Sequence, residues 1–463
     1  MLWGSREIGS PAIGGTVIIL VVMTSMINEV LSNRNMRKAC RHVVSNKGSA
    51  GVDGMAASRL TEHFRVQGAQ LVATVQAGSY VPDSILGVGI PKSNGKTRLL
   101  GIPTVQDRML QQAVHQVMMP RFEAEFKAHS YGFRPKRNAQ QAVLRAQHHI
   151  NEGYQHIVDI DLKSFFDEVD HCKLLQLVYR KVKCPATLRL IRQWLRAPIL
   201  VNGKLQKRRK GVPQGSPLSP LLSNIMLHEL DRELERQGLR YVRYADDFSI
   251  YLKSKSEAKK VGNSIFLFLK DRLKLPINRA KSGLRKPVQF TLLGYSFVPT
   301  YVKGERGRYQ LVVEQGSWQS LKQRLKAITR KTSPTPLEER IRQLNEVQRG
   351  WLNYFRLASM TGKLGTLDSW VRNRLRCCIW KHWKKPERRR KNLIRLGIDQ
   401  DHAYAWSRTR MGTWAVAQSP MLLTTITLKR LAARGYESML EHYNKVAPHL
   451  NEPLYTRPVR TVV

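Results

Sequence analysis

GLRYVRYADDFSIYLKSK, residues 238–255, reads as a β-hairpin with its tip at Ala245-Asp246-Asp247. Two adjacent carboxylates at such a tip repel each other unless a cation lies between them. Taken alone, an Asp-Asp pair in a turn is more often a solvated turn than a metal site. A second stretch shifts the balance. In QHIVDIDL, residues 155–162, Val158, Ile160 and Leu162 alternate with Ile157, Asp159 and Asp161, so a strand here carries carboxylates on one face. Asp161 can then join Asp246 and Asp247 around one point.

On the N-terminal side, the sequence from Tyr80 onward predicts a strand, a hairpin at Asn94-Gly95, a second strand, and a long helix from about Val105. That places Lys92 and Arg98 on opposite arms of one hairpin. A long apolar helix is predicted from about Pro217 to Gln237, and strands and helices interleave through residue 298. Beyond Thr300 the chain changes character. Ser317 to Trp383 is helical, Trp-rich and basic, broken at Ser333-Pro334-Thr335-Pro336, which marks a domain boundary followed by a helical bundle. The final sixty residues or so show basic and aromatic clusters but no clear period.

Lys and Arg number 78 against 34 Asp and Glu in 463 residues, a formal charge of +44. A chain so basic attracts polyanions, as a ribosomal or packaging protein does, or as an enzyme that grips nucleic acid by its phosphates. The apolar run TVIILVV, Thr16 to Val22, is too short for a spanning helix of roughly 20 residues. Residues 1–25 read as an upstream-start extension before a basic soluble helix, and no membrane partner is expected. Cys40, Cys172, Cys184, Cys377 and Cys378 form no C-x-x-C pair and read as free thiols of a reducing cytoplasm.

Adding a nucleotide to a primer needs an in-line attack on phosphate, with a hydroxyl to activate and pyrophosphate charge to neutralise. Two Mg²⁺ ions serve both needs and take hard oxygen ligands. Asp161, Asp246 and Asp247 are the candidate ligands and catalytic residues. Lys92 and Arg98 are candidates to neutralise an incoming triphosphate, with two solvated hairpin charges as the plain alternative. Gln214-Gly215 offers an amide beside a backbone that can approach a base pair closely, or else a simple helix-entry turn.

The ordered set of motifs resembles the reverse transcriptases encoded by bacterial group II introns, over residues 26 to about 463. IPKSNGKTRLLGIPTVQDR (90–108) and HSYGFRPKRNAQQAV (129–143) look like the fingers motifs. DLKSFFDEVDH (161–171), GVPQGSPLSPLLSNIMLHELD (211–231) and YADD (244–247) resemble polymerase motifs A, B and C, while NRAKS (278–282) and LLGYSF (292–297) are similar to the remaining palm motifs. The resemblance implies that Asp161, Asp246 and Asp247 hold two Mg²⁺, that Phe166 is a gate against the ribose 2′-hydroxyl, and that Lys281 donates a proton to departing pyrophosphate. RQLNEVQRGWLNYFR (342–356) and LDSWVRNRLRCCIWKHWKK (367–385) resemble the family's maturase, or thumb, domain. There Trp351, Tyr354, Trp370, Trp380 and Trp383 are expected to pack the bundle. Arg374, Arg376, Lys381, Lys384 and Lys385 are expected to grip RNA backbone.

The expected fold is therefore α+β, a right-hand polymerase with fingers and palm in residues 26–300, followed by an all-helical thumb in 301–400 and a basic segment in 401–463 similar to the family's DNA-binding region. The partners implied are group II intron RNA, an RNA template with a DNA primer, dNTPs and target DNA, in a bacterial cytoplasm. No endonuclease domain of the family's histidine-rich type is expected, and the sequence sets no oligomeric state. Two other readings stand beside this one: an RNA-binding splicing cofactor on a polymerase scaffold, and a reverse transcriptase domesticated for defence or repair.

Overall fold

The computed structural model describes residues 25–91, 95, 97–300 and 307–447. The expectations for residues 1–24, for Lys92 and for 448–463 lie outside that range. The described residues divide into two compact units, one of those from 25 to 125 together with 169–225, the other of 126–168 together with those from 226 to 447.

The first unit is built around the helix Val105–Glu123, predicted from its spacing. Apolar side chains are buried along most of its length, including Met109, Leu110, Val114, Met118 and Phe122, so it is a core helix rather than a surface one. Its N-cap Thr104 accepts from the Asp107 amide. The predicted hairpin is present: Ile85–Pro91 and Thr97–Ile102 pair antiparallel from Leu86 opposite Ile102 to Pro91 opposite Thr97, with Gly95 at φ +76° in the turn. Ile199–Val201 extends this sheet in parallel with Ile85–Pro91.

Asp107, one turn into the core helix, organises its surroundings. Its carboxylate accepts from Tyr80 Oη (2.8 Å), Trp194 Nε1 (2.8 Å), Thr104 Oγ1 (3.0 Å) and the Asp83 amide (3.2 Å). Burial pushes this carboxyl above the usual range, and the bonds from Tyr80 and Trp194 oppose that push. Asp107→Ala leaves several buried donors without an acceptor and is expected to destabilise the unit by about 3 kcal/mol or more. A lowered urea midpoint measures this, and an unchanged one contradicts it.

The second unit begins with a four-stranded sheet. Its order is Arg240–Tyr244, Asp247–Leu252, His156–Ile160, Gly283–Arg285, each neighbouring pair antiparallel. Two helices pack on it: Ala139–Asn151, opened by an Asn138/Gln141 capping box, and Lys255–Leu267, capped by Ser254. A three-stranded sheet of Thr291–Leu292, Tyr295–Pro299 and Tyr309–Val313 follows. Then come the helices Gln315–Ile328, Leu337–Phe355 and Thr361–His382.

One apolar core runs through this unit, from Ala142 and Ala146 through Phe290, Tyr295 and Phe297 to Leu344, Val371, Leu375 and Trp380. The predicted break at 333–336 is a turn sewn together by Arg340. This side chain is 2% exposed and donates to the carbonyls of Ile328, Arg330, Ser333 and Thr335. Trp380 and Trp383 are buried, Trp351 and Trp370 pack against the core, and the Trp318 and Trp351 rings meet at a tilt with centroids 4.8 Å apart, so the aromatics fill the bundle as expected. Tyr354 stays partly exposed and donates to the Leu293 carbonyl at 3.0 Å.

The final segment differs from its reading as aperiodic. Six helices of five to ten residues span Pro386 to Val446. Such lengths are too short to display a 3.6-residue period. They bury Leu393, Ala403, Val416, Leu422, Leu431, Met439 and Tyr443 in the same core as the longer helices.

Candidate active site

In the sheet of the second unit, Tyr244 pairs with Asp247, so the hairpin turn consists of Ala245 and Asp246, and Asp247 opens the next strand. Ala245 has φ +57°, a left-handed conformation that costs a non-glycine residue about 1–2 kcal/mol. Ile160 pairs with Phe248 in the adjoining strand, so one residue further along Asp161 comes opposite Asp247. Asp161 is held firmly. Its amide donates to Ser282 Oγ (3.0 Å), its carbonyl accepts from the Asn278 amide (2.8 Å), and its Oδ2 accepts from Asn278 Nδ2 (2.7 Å).

Asp159, Asp161, Asp247, Lys281 and Arg285 line a cleft of about 510 Å³. Asp247 is accessible from this cleft, yet enough protein surrounds it that desolvation, then the charges of Asp246, Asp161 and Asp159, push its carboxyl up to about 6. Lys281 opposes that rise. Its Nζ stands 4.0 Å from Asp161 Oδ2 with most of the side chain in solvent, on the turn of the NRAKS stretch, 278–282. Asp159 is a fourth carboxylate, paired with Arg285 at 2.7 Å. The alternation of 155–162 already placed Asp159 on the carboxylate face without a role.

The donors suit a divalent cation: hard carboxylate oxygens, mutually repelling, at one end of the sheet. Among the described residues no three His, Cys, Asp or Glu stand close enough to enclose an ion by themselves, so the convergence is looser than the sequence suggested.

Phe165 and Phe166, in the short helix just after Asp161, are both buried and meet edge to face at 5.3 Å. Arg98 and Gln214 come together in the first unit, where Arg98 Nε donates to Gln214 Oε1. The Gln214 carbonyl accepts from the Gly101 amide at 2.7 Å. Gly215 has φ +112°, and a Cβ there would lie 2.6 Å from the Gly101 carbonyl oxygen, so the motif B glycine is needed for this close approach.

The expected RNA contacts divide. Arg374 turns inward, donating to Thr329 Oγ1 (2.6 Å) and to the Lys326 and Thr329 carbonyls, beside Trp370. Arg376 is 5% exposed and donates to the Ile426 carbonyl and Asn373 Oδ1. Both guanidiniums close helix ends and turns of the bundle. Lys381, Lys384 and Lys385 are exposed, and the first two rim a cleft of about 720 Å³ with Lys331 and Arg434.

Residues 90–297 match the family model described as reverse transcriptase (RNA-dependent DNA polymerase), and residues 318–397 match the group II intron maturase-specific domain. Protein YkfC of Escherichia coli strain K12 is 31% identical over 289 residues, covering 54% of this chain and 76% of that protein. This chain belongs to the group II intron-encoded reverse transcriptases. The group II intron-encoded protein LtrA of Lactococcus lactis subsp. cremoris is 29% identical to this reverse transcriptase over 325 residues, 56% of this chain and 54% of LtrA. The reverse transcriptase thus spans about half the length of LtrA. A solved partial Cas6-RT-Cas1–Cas2 complex shares 23% identity over 54% of this chain at a TM-score of 0.35, too low to add to the argument. As a family, reverse transcriptases use divalent metal ions, and the polymerase and maturase domains together imply binding to RNA. No described helix is long and apolar enough to cross a membrane.

Proposed function

We propose that this chain extends a DNA primer on an RNA template with two Mg²⁺ ions, and that its maturase region binds group II intron RNA and assists splicing and retrohoming into target DNA. The observation that carries the reading is the meeting of Asp161 and Asp247 across two strands beside Asp246 and Lys281. In this reading residues 26–300 act as fingers and palm, 301–400 as thumb, and 401–463 approach DNA, all within the bacterial cytoplasm as a ribonucleoprotein. Bound Mg²⁺ supplies activation of the primer hydroxyl and charge neutralisation at the departing pyrophosphate.

The chain's own groups do the rest. Asp161, Asp246 and Asp247 hold the cations, with Asp161 oriented by Asn278. Lys281, whose ammonium stands within 4.0 Å of Asp161, delivers a proton to pyrophosphate. Lys92, Arg98 and Gln214 bind the incoming dNTP, and Phe166 excludes its ribose hydroxyl. Lys381, Lys384 and Lys385 contact RNA phosphates, where each charge adds to a salt-dependent affinity.

Primer extension on poly(rA)/oligo(dT), with dTTP and rUTP compared, tests the assignment. The wild type is expected to extend with dTTP and to reject rUTP, and Phe166→Ala to relax that preference by about 10- to 100-fold. No extension by the wild type refutes the polymerase reading. An unchanged preference in Phe166→Ala removes the gate.

A further inference from the structure

The hairpin turn that carries Asp246 is braced from behind by a fully buried ion pair. Arg243 lies in the strand Arg240–Tyr244, and Asp231 in the helix Ser219–Arg236. Both side chains are 0% exposed. The pairing is bidentate, with Arg243 Nε to Asp231 Oδ1 at 2.7 Å and Nη2 to Oδ2 at 2.6 Å. The third guanidinium nitrogen, Nη1, donates to the Ala245 carbonyl at 2.9 Å. That carbonyl belongs to the peptide whose amide nitrogen is Asp246's own.

Such a pair is an odd choice for stability alone. Desolvating both charges offsets much of their attraction, and apolar replacements of similar volume often fold as well or better. What an apolar pair cannot do is donate to Ala245. The neighbouring backbone tightens the same turn. The Arg243 amide donates to the His129 carbonyl and its carbonyl accepts from the Tyr131 amide, each at 2.9 Å. The next residue, Gly132, packs so closely that a Cβ would stand 2.3 Å from the Ala245 nitrogen. Ala245 itself is held in its left-handed conformation.

We propose that Arg243, fixed by Asp231, is a positioning residue that sets the Ala245-Asp246 peptide and thereby the metal-binding geometry of Asp246 and Asp247. This deepens the polymerase reading and rests on it. The test is the double variant Asp231→Leu, Arg243→Met in the full chain, which removes both buried charges together. Four quantities are read: melting temperature, template-primer affinity, Mn²⁺ affinity by electron paramagnetic resonance, and the dNTP dependence of extension.

The expected result is a folded protein that binds template-primer as the wild type does. Its Mn²⁺ affinity is weaker, and its kcat is lower by about 10- to 100-fold at an unchanged KM for dNTP. Wild-type Mn²⁺ affinity and kcat in the folded double variant overturn the proposal. Should the double variant not fold, Arg243→Lys keeps a cation for Asp231 but loses the fork that reaches Ala245, and the same two readings decide. A wild type that extends nothing sinks the polymerase reading, while the Mn²⁺ measurement still decides the brace.

Discussion

Asp247→Ala is expected to lower RNA-templated primer extension by at least about 10³-fold, equivalent to roughly 4 kcal/mol of transition-state stabilisation. The same variant is expected to melt no lower than the wild type. Both expectations have one source. Asp247 faces Asp161 across the sheet and lies beside Asp246, and desolvation together with those charges holds its carboxyl near 6. A carboxylate raised in this way is a liability to the fold, so removing it relieves repulsion while it takes away a proposed metal ligand. Extension assays and a melting curve on the same preparation read both effects. A variant that keeps wild-type extension contradicts the assignment of Asp247. A variant that loses extension only because it unfolds contradicts the argument about repulsion.

Asp368→Ala is expected to destabilise the helical bundle by about 3–5 kcal/mol, a large share of the 5–15 kcal/mol typical of a folded domain. Asp368 sits in the helix Thr361–His382 at 1% exposure. Its carboxylate accepts from Tyr436 Oη (2.9 Å), Ser438 Oγ (2.6 Å) and the Met439 and Leu440 amides (3.0 Å each). The last two are the first amides of the helix Met439–Val446, whose positive end the carboxylate therefore caps from a neighbouring helix. Without it four donors are stranded in the core and the last described helix loses its anchor. Asp368→Asn keeps one oxygen and is expected to fall between. Urea unfolding and limited trypsin cleavage at Lys445 measure the effect. An unchanged midpoint with Lys445 still protected contradicts it.

The sequence made the site's scaffold legible because its signals are local. Alternation in 155–162 exposed the carboxylate face, the YADD hairpin placed two aspartates at a turn, and Asn94-Gly95 marked the other hairpin. Features that join residues far apart were not legible. Asp231 and Arg243 look like an ordinary helix acid and strand base until the fold buries them together. Arg374 and Arg376 share their helix with exposed lysines, and composition cannot tell which cations turn inward to cap a turn. The same limit hid Asp107 and Asp368, whose donors come from elements distant in the chain. The short C-terminal helices escaped because each spans fewer than three turns, and only their burial in the common core explains them.

In the proposed function these carboxylates serve RNA-directed DNA synthesis in a chain whose thumb also serves splicing. Primer extension on an RNA template with dNTPs and Mg²⁺ tests it most directly, comparing wild type with the Asp246→Ala, Asp247→Ala double variant while splicing of the flanking intron is followed in parallel. Extension by the wild type, none by the double variant, and splicing that persists in both are the expected results. A wild type that promotes splicing but extends nothing would contradict them, leaving an RNA-binding cofactor on a polymerase scaffold.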